Sequence, residues 1–129
     1  MSEHPLTLSE SEKNRLPPGQ EERKEFPVLS KGSVPDIPDK WTLRVFGAVK
    51  EDRTFTLTDL KELPYVLTQK QDFHCVTGWS KLGIEWTGIR FRDVMNEIEF
   101  DGNTNHVLFH SLDGYTTDLP LEVCMRDDV

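Results

Sequence analysis

Asp72 to Ser80 reads DFHCVTGWS: a cysteine at the end of a strand-patterned run, followed by a glycine, two hydroxyl side chains and a tryptophan. The run before it, Tyr65 to Phe73, reads as a strand. After it, Gly78, Gly83 and Gly88 interrupt the pattern, so Cys75 to Gly88 (CVTGWSKLGIEWTG) is predicted as an irregular loop. A cysteine at such a junction has two readings. It is a packed structural thiol, free cysteine being among the most buried residue types, or it is a thiolate presented to a ligand.

Moving outward, the hydrophobic residues are unevenly spread, with 9 in residues 1–40 and 37 in residues 41–129. Six of the eight prolines (Pro5, Pro17, Pro18, Pro27, Pro35, Pro38) lie in the first segment, where they remove backbone donors and favour extended chain. Residues 1–25 are therefore read as a flexible N-terminal arm, and 26–129 as the domain. Phe26 to Ile37 (FPVLSKGSVPDI) reads as an extended strap anchored by its apolar side chains. From Trp41 the period is two, with Trp41, Leu43 and Val45 alternating with Thr42 and Arg44 as in a strand with one buried face. Lys50 to Arg53 is a turn, Phe55 to Leu57 a strand, and Thr58 the N-cap of a short helix over Asp59 to Leu63 that Pro64 stops.

Phe91, Val94, Met95 and Ile98 follow the spacing of an amphipathic helix. Asp101 to Asn105 is loop, His106 to Leu112 a strand, and Asp113-Gly114 a turn into Tyr115 to Leu119. Pro120 to Val129 reads as a short helix. One alanine against ten valines tilts the balance towards sheet. The fold class is α+β, a mixed β-sheet with short helices, and because no strand follows the last helix the sheet is expected to be incomplete and the sequence truncated.

Fifteen Lys and Arg against 23 Asp and Glu leave a formal charge of −8. That argues against nucleic acid as partner, since binding a polyanion draws its affinity from clustered basic residues. No apolar run approaches the roughly 18 residues of a spanning helix, and the N-terminus lacks a signal-peptide pattern, so no membrane segment and a cytoplasmic location are expected. Cys75 and Cys124 are the only cysteines; they form neither a disulfide framework nor a CxxC pair. GxGxxG, Walker, HExxH and GxSxG motifs are all missing, which removes the enzyme classes they mark. A zinc site from His74, Cys75, His106 and His110 stays open as an alternative, although no pair has standard ligand spacing; His4 belongs to the arm.

FHCVTGWS, followed by Trp86-Thr87-Gly88-Ile89, the helix RFRDVM and the later block HVLFHSLDGYTTDLPLE, resembles the molybdopterin-binding domain of the sulfite-oxidase family. The upstream FPVL, GSVP and WTLRVFG extend the similarity in the same order, from about Phe26 to Val129, and the likeness is to the small bacterial and archaeal sulfite-oxidase-like oxidoreductases. The resemblance implies a sulfite-oxidase-type fold, a molybdenum-molybdopterin cofactor, and Cys75 as the catalytic residue and the protein's bond to the metal. A soft thiolate suits a metal that changes oxidation state, and coordination would keep it deprotonated.

It further implies that Thr77, Ser111 and His74 belong to the cofactor-binding set. Gly78 allows a tight backbone, and Trp79 is read as core packing. Arg90 and Arg92, next to a helix start, could meet the pterin phosphate, but their plainer reading is a solvated helix end; His110 reads as an ordinary strand histidine. The implied activity is oxygen-atom transfer on a small sulfur or related oxo compound, with a small-molecule substrate and a separate electron-transfer partner, since no haem-attachment CxxCH is present. The alternative is a cofactor-free binding or structural domain that keeps the fold.

Overall fold

The computed structural model describes residues 9–129; His4 lies outside them. Along the chain the elements are α1 (Glu10–Asn14), β1 (Glu21–Glu22), β2 (Thr42–Val45), β3 (Arg53–Thr56), α2 (Leu57–Glu62), β4 (Leu67–His74), β5 (Trp79–Gly88), α3 (Phe91–Met95), β6 (His106–His110), β7 (Thr116–Pro120) and α4 (Leu121–Cys124). The α+β class expected from the sequence is the class observed: short sheets with short helices. The chain divides into two compact units, one made of the described part of Met1–Val28 with Thr68–Trp86, the other of Leu29–Leu67 with Thr87–Val129. No helix among the described residues is long and apolar enough to cross a membrane.

The first unit is a three-stranded sheet of order β1-β5-β4. β1 runs parallel to β5, with Glu21 opposite Trp79 and Glu22 opposite Ser80. The irregular loop expected over Cys75 to Gly88 is replaced by a four-residue turn and a ten-residue strand. The glycines mark the turn and a local distortion without ending the strand: Gly78 adopts φ +96° at the turn and Gly83 φ +64° inside β5, a conformation only glycine takes without strain.

The arm expected over residues 1–25 also differs where it is described, because residues 9–25 hold α1 and β1. Pro17 to Gln20 form a turn closed by the Gln20 N–H on the Pro17 carbonyl at 3.1 Å. Pro18 and Gly19, the latter at φ +81°, occupy the central positions a type II turn prescribes for them. The strap is corrected too. Phe26 packs against Phe73, Trp79 and Trp86, yet Val28, Leu29, Val34 and Ile37 are 65–79% exposed. What ties the following stretch down is backbone: the Lys31 N–H donates to the Asp113 carboxylate at 2.7 Å.

The second unit contains the antiparallel pairs β2-β3 and β6-β7. Leu43 and Val45 point inward from β2, as their alternation required, and pack with Val49, Leu60, Ile89 and Met95 around the buried trio Phe55, Val94 and Ile98. The α2 helix starts two residues earlier than expected, with Thr56 as N-cap instead of Thr58. The Thr56 hydroxyl accepts from the Asp59 N–H at 3.0 Å, and the Asp59 carboxylate accepts from the Thr56 N–H at 2.8 Å. This reciprocal pair satisfies two backbone donors at once, which a cap at Thr58 lacks the acidic partner to do.

Candidate functional site

Cys75 sits at the start of the turn that joins β4 to β5, and the turn is closed by three backbone bonds. The Cys75 N–H donates to the Trp79 carbonyl at 2.8 Å, the Gly78 N–H donates to the Cys75 carbonyl at 3.1 Å, and the Glu21 N–H of β1 donates to the Gly78 carbonyl at 2.9 Å. The left-handed Gly78 lets Val76 and Thr77 occupy the tip. Val76 is 99% exposed, and Cys75 itself is half-buried.

The Thr77 hydroxyl donates to Cys75 Sγ at 3.2 Å. This bond, with help from the Thr77 and Val76 N–H groups, holds the Cys75 thiol below the ordinary cysteine range, because a donor stabilises the thiolate more than the thiol. Cys124 is the opposite case. It is fully buried in α4, and burial pushes its thiol up. The two thiols are both free, and the packed structural reading fits Cys124, not Cys75.

Trp79 is buried and stacks on Phe73 with ring centroids 5.5 Å apart, so it packs as read. His74 Nδ1 lies 2.8 Å from the hydroxyl of Ser80, which is wholly buried. Cys75, Thr77 and His74 are thus brought together in one turn of the first unit. Ser111 belongs to the second unit, at the end of β6; it is exposed, and its N–H donates to the Tyr115 carbonyl at 2.9 Å across the β6-β7 turn. His110 is exposed and lies against the Phe46 ring. Arg90 pairs with Asp93 at 3.0 Å and Arg92 with Asp127, so both arginines are engaged by carboxylates. Among the described residues no three His, Cys, Asp or Glu side chains come close enough together to hold a metal ion, and the four-residue zinc set is not assembled.

Two contributors were missed by the sequence reading, both in the segment assigned to the arm. Gln20 donates from Nε2 to the Cys75 carbonyl at 3.0 Å and accepts from Ser80 at 2.8 Å. Arg15 forms a two-pronged pair with Asp72 at 2.8 and 2.9 Å, and Asp72 also accepts from the Gly83 N–H at 2.8 Å. The Pro18-Gly19 dipeptide was the available signal, since a turn there folds the segment back.

The Arg15 guanidinium and then the Gly83 N–H keep the Asp72 carboxyl below its usual range. A carboxylate whose folded pKa is depressed contributes stability above its unfolded pKa of about 3.9, and that contribution fades as pH falls through the lower folded value. Asp72→Asn is therefore expected to lower stability at pH 6 by about 0.2–1 kcal/mol, the range for a half-exposed ion pair, and to flatten the acid limb. Urea unfolding at pH 6 and pH 3 reads this; equal pH dependence in the two proteins would discount the pair.

Residues 31–129 match the model of the oxidoreductase molybdopterin-binding domain. The chain is 37% identical over 118 residues to the oxidoreductase YuiH of Bacillus subtilis (strain 168), covering 90% of this chain and 59% of that protein. It is 31% identical over 75 residues to the protein-methionine-sulfoxide reductase catalytic subunit MsrP of Ralstonia nicotianae, covering 58% of this chain and 22% of that protein. The chain thus spans about three fifths of the first relative's length and a smaller share of the second's. No solved structure matches.

Proposed function

Since the chain belongs to the oxidoreductase molybdopterin-binding domain family, we propose that it is, or forms part of, a molybdenum-cofactor oxidoreductase in which Cys75 Sγ is the protein's bond to the metal. The observation that carries this reading is the contrast between the two thiols: one half-exposed at a turn and biased towards thiolate by Thr77, the other sealed and biased against it. The donor chemistry fits a molybdenum-pterin group, which needs one soft anionic sulfur from the protein. When bound, the group supplies two-electron chemistry with transfer of an oxygen atom.

The chain's own residues present and orient. The closed turn fixes the backbone of Cys75, Thr77 donates to its sulfur, and His74 offers a further polar group beside it; Ser111, in the other unit, belongs to the proposed cofactor-binding set on the resemblance alone. A small sulfur or related oxo compound is the substrate class we favour, in line with the sulfoxide reductase named among the relatives. A separate carrier would take or supply the electrons, and a cytoplasmic setting belongs to the same proposal.

The test is elemental analysis together with pterin fluorescence after denaturation, on chain purified from cells that make the cofactor. Close to one molybdenum per chain is expected. A cooperatively folded, colourless chain free of molybdenum and pterin would overturn the reading and favour the cofactor-free domain.

A further inference from the structure

The carboxamide of Gln20 has both of its bonds fixed in direction. Its Nε2 donates to the Cys75 carbonyl at 3.0 Å, so the atom facing Ser80 is Oε1, which accepts the Ser80 hydroxyl proton at 2.8 Å. Turning the amide over would set its oxygen against the Cys75 carbonyl, two acceptors with no proton between them. A serine hydroxyl has one proton to give. With that proton on Gln20, Ser80 Oγ can only accept from His74 Nδ1, 2.8 Å away. Neutral His74 therefore carries its proton on Nδ1 and leaves Nε2 as a bare acceptor. Ser80, in the middle of this chain of bonds, is 0% exposed, whereas His74 is exposed on β4.

We propose that Gln20 is a positioning residue for the Cys75 turn: one carboxamide clamps the Cys75 carbonyl from outside the turn and, through Ser80, sets the tautomer of His74. The clamp adds to the bond from the Gly78 N–H, so the Cys75 carbonyl is held by two donors, one local and one from a segment 55 residues away. The direction of the Cys75 side chain follows from that backbone. The functional meaning of the clamp rests on the reading of Cys75 as metal ligand, but the bonding pattern is tested without metal.

The experiment uses the full metal-free chain at one fixed, mildly alkaline pH throughout. Nitrogen-15 spectra of the His74 ring are expected to show Nδ1 protonated and Nε2 bare. Gln20→Ala frees the Ser80 proton for Nδ1, and the two ring signals are expected to exchange character. It also releases the Cys75 carbonyl, and iodoacetamide is expected to label Cys75 about fivefold faster, the factor that one lost hydrogen bond allows.

Two further variants separate the arms and stand in if Gln20→Ala fails to fold. Gln20→Glu keeps an acceptor for Ser80 but has no donor for the carbonyl, so the tautomer is retained while labelling speeds up. Ser80→Ala leaves the clamp and removes the link, so labelling is unchanged while the Nδ1 preference is lost. A wild-type ring protonated on Nε2, or variants in which neither the ring signals nor the labelling rate move, would overturn the proposal. No metal takes part, so an error in the molybdenum reading alters none of these outcomes.

Discussion

Phe55→Ala is expected to destabilise the second unit by about 3 kcal/mol, with the range for buried Phe to Ala extending to about 5. Phe55 is 3% exposed and forms the buried trio with Val94 and Ile98, so its ring has no solvent to retreat into. The lower end applies because the surrounding Leu43, Val45, Leu60 and Met95 are only partly buried and can close over part of the void. The Arg53 guanidinium also lies over the ring, 5.0 Å from its centre, while donating to the Glu97 carbonyl at 2.8 Å. Loss of the ring leaves that cation its backbone bond but removes its aromatic contact, a further effect of about 0.5–1 kcal/mol at an exposed site. A domain is typically held by only about 5–15 kcal/mol, so the variant should melt far below the wild type. Val76→Ala is the contrasting case: at 99% exposure it should stay within about 0.5 kcal/mol of wild type. Thermal and urea unfolding measure both; a Phe55→Ala cost near that of Val76→Ala would mean that the trio is not the core.

The parts of this fold that sequence made legible are those where one face is buried and the period is undisturbed. Leu43 and Val45 alternate with exposed Thr42 and Arg44, and a strand with one wet face leaves that imprint; in β6 the half-buried Val107 and Phe109 flank Leu108, an apolar residue on the exposed face. Val94 and Ile98, four residues apart in the helix-patterned run, are both buried, although α3 itself ends at Met95 and Ile98 lies in the turn after it. Where reading failed, the local rule was outweighed by something non-local or was applied to the wrong residue. β5 escapes the sequence reading because its glycines read as breaks, although pairing with β4, joined by β1 at Trp79 and Ser80, makes it a strand. Of Thr56 and Thr58, only Thr56 has an acidic residue three positions later, the pattern of a capping box, and that pattern outweighs the position of Thr58 next to the acidic first turn. Gln20 and Arg15 were invisible for a different reason: their partners Cys75, Ser80 and Asp72 are 55 to 60 residues away, and nothing in a proline-rich segment announces a distant partner except the Pro18-Gly19 turn.

Cys75→Ser is expected to empty the chain of molybdenum, while Cys124→Ser keeps it close to the wild-type level. Changes to groups that merely orient a metal ligand cost about 10–100-fold in affinity, and removal of the ligand itself should exceed that. Serine cannot stand in, because its hydroxyl remains protonated where a cysteine of ordinary pKa, about 8.5, already has some thiolate, and the bias set by Thr77 increases that thiolate fraction at any given pH. Oxygen is also a harder donor than the soft thiolate that would hold the metal. Cys124 presents the reverse combination of full burial and a raised thiol pKa, so its sulfur neither reaches a ligand nor ionises readily. In the metal-free chain the same asymmetry predicts that an alkylating reagent at neutral pH finds Cys75 first and Cys124 only on unfolding. Elemental analysis of the two variants, with labelled-peptide mass spectrometry of the metal-free protein, decides between the thiols. Molybdenum retained in Cys75→Ser and lost in Cys124→Ser would move the metal to the buried sulfur, and with it would go the argument that a half-exposed, hydroxyl-supported thiol marks the site.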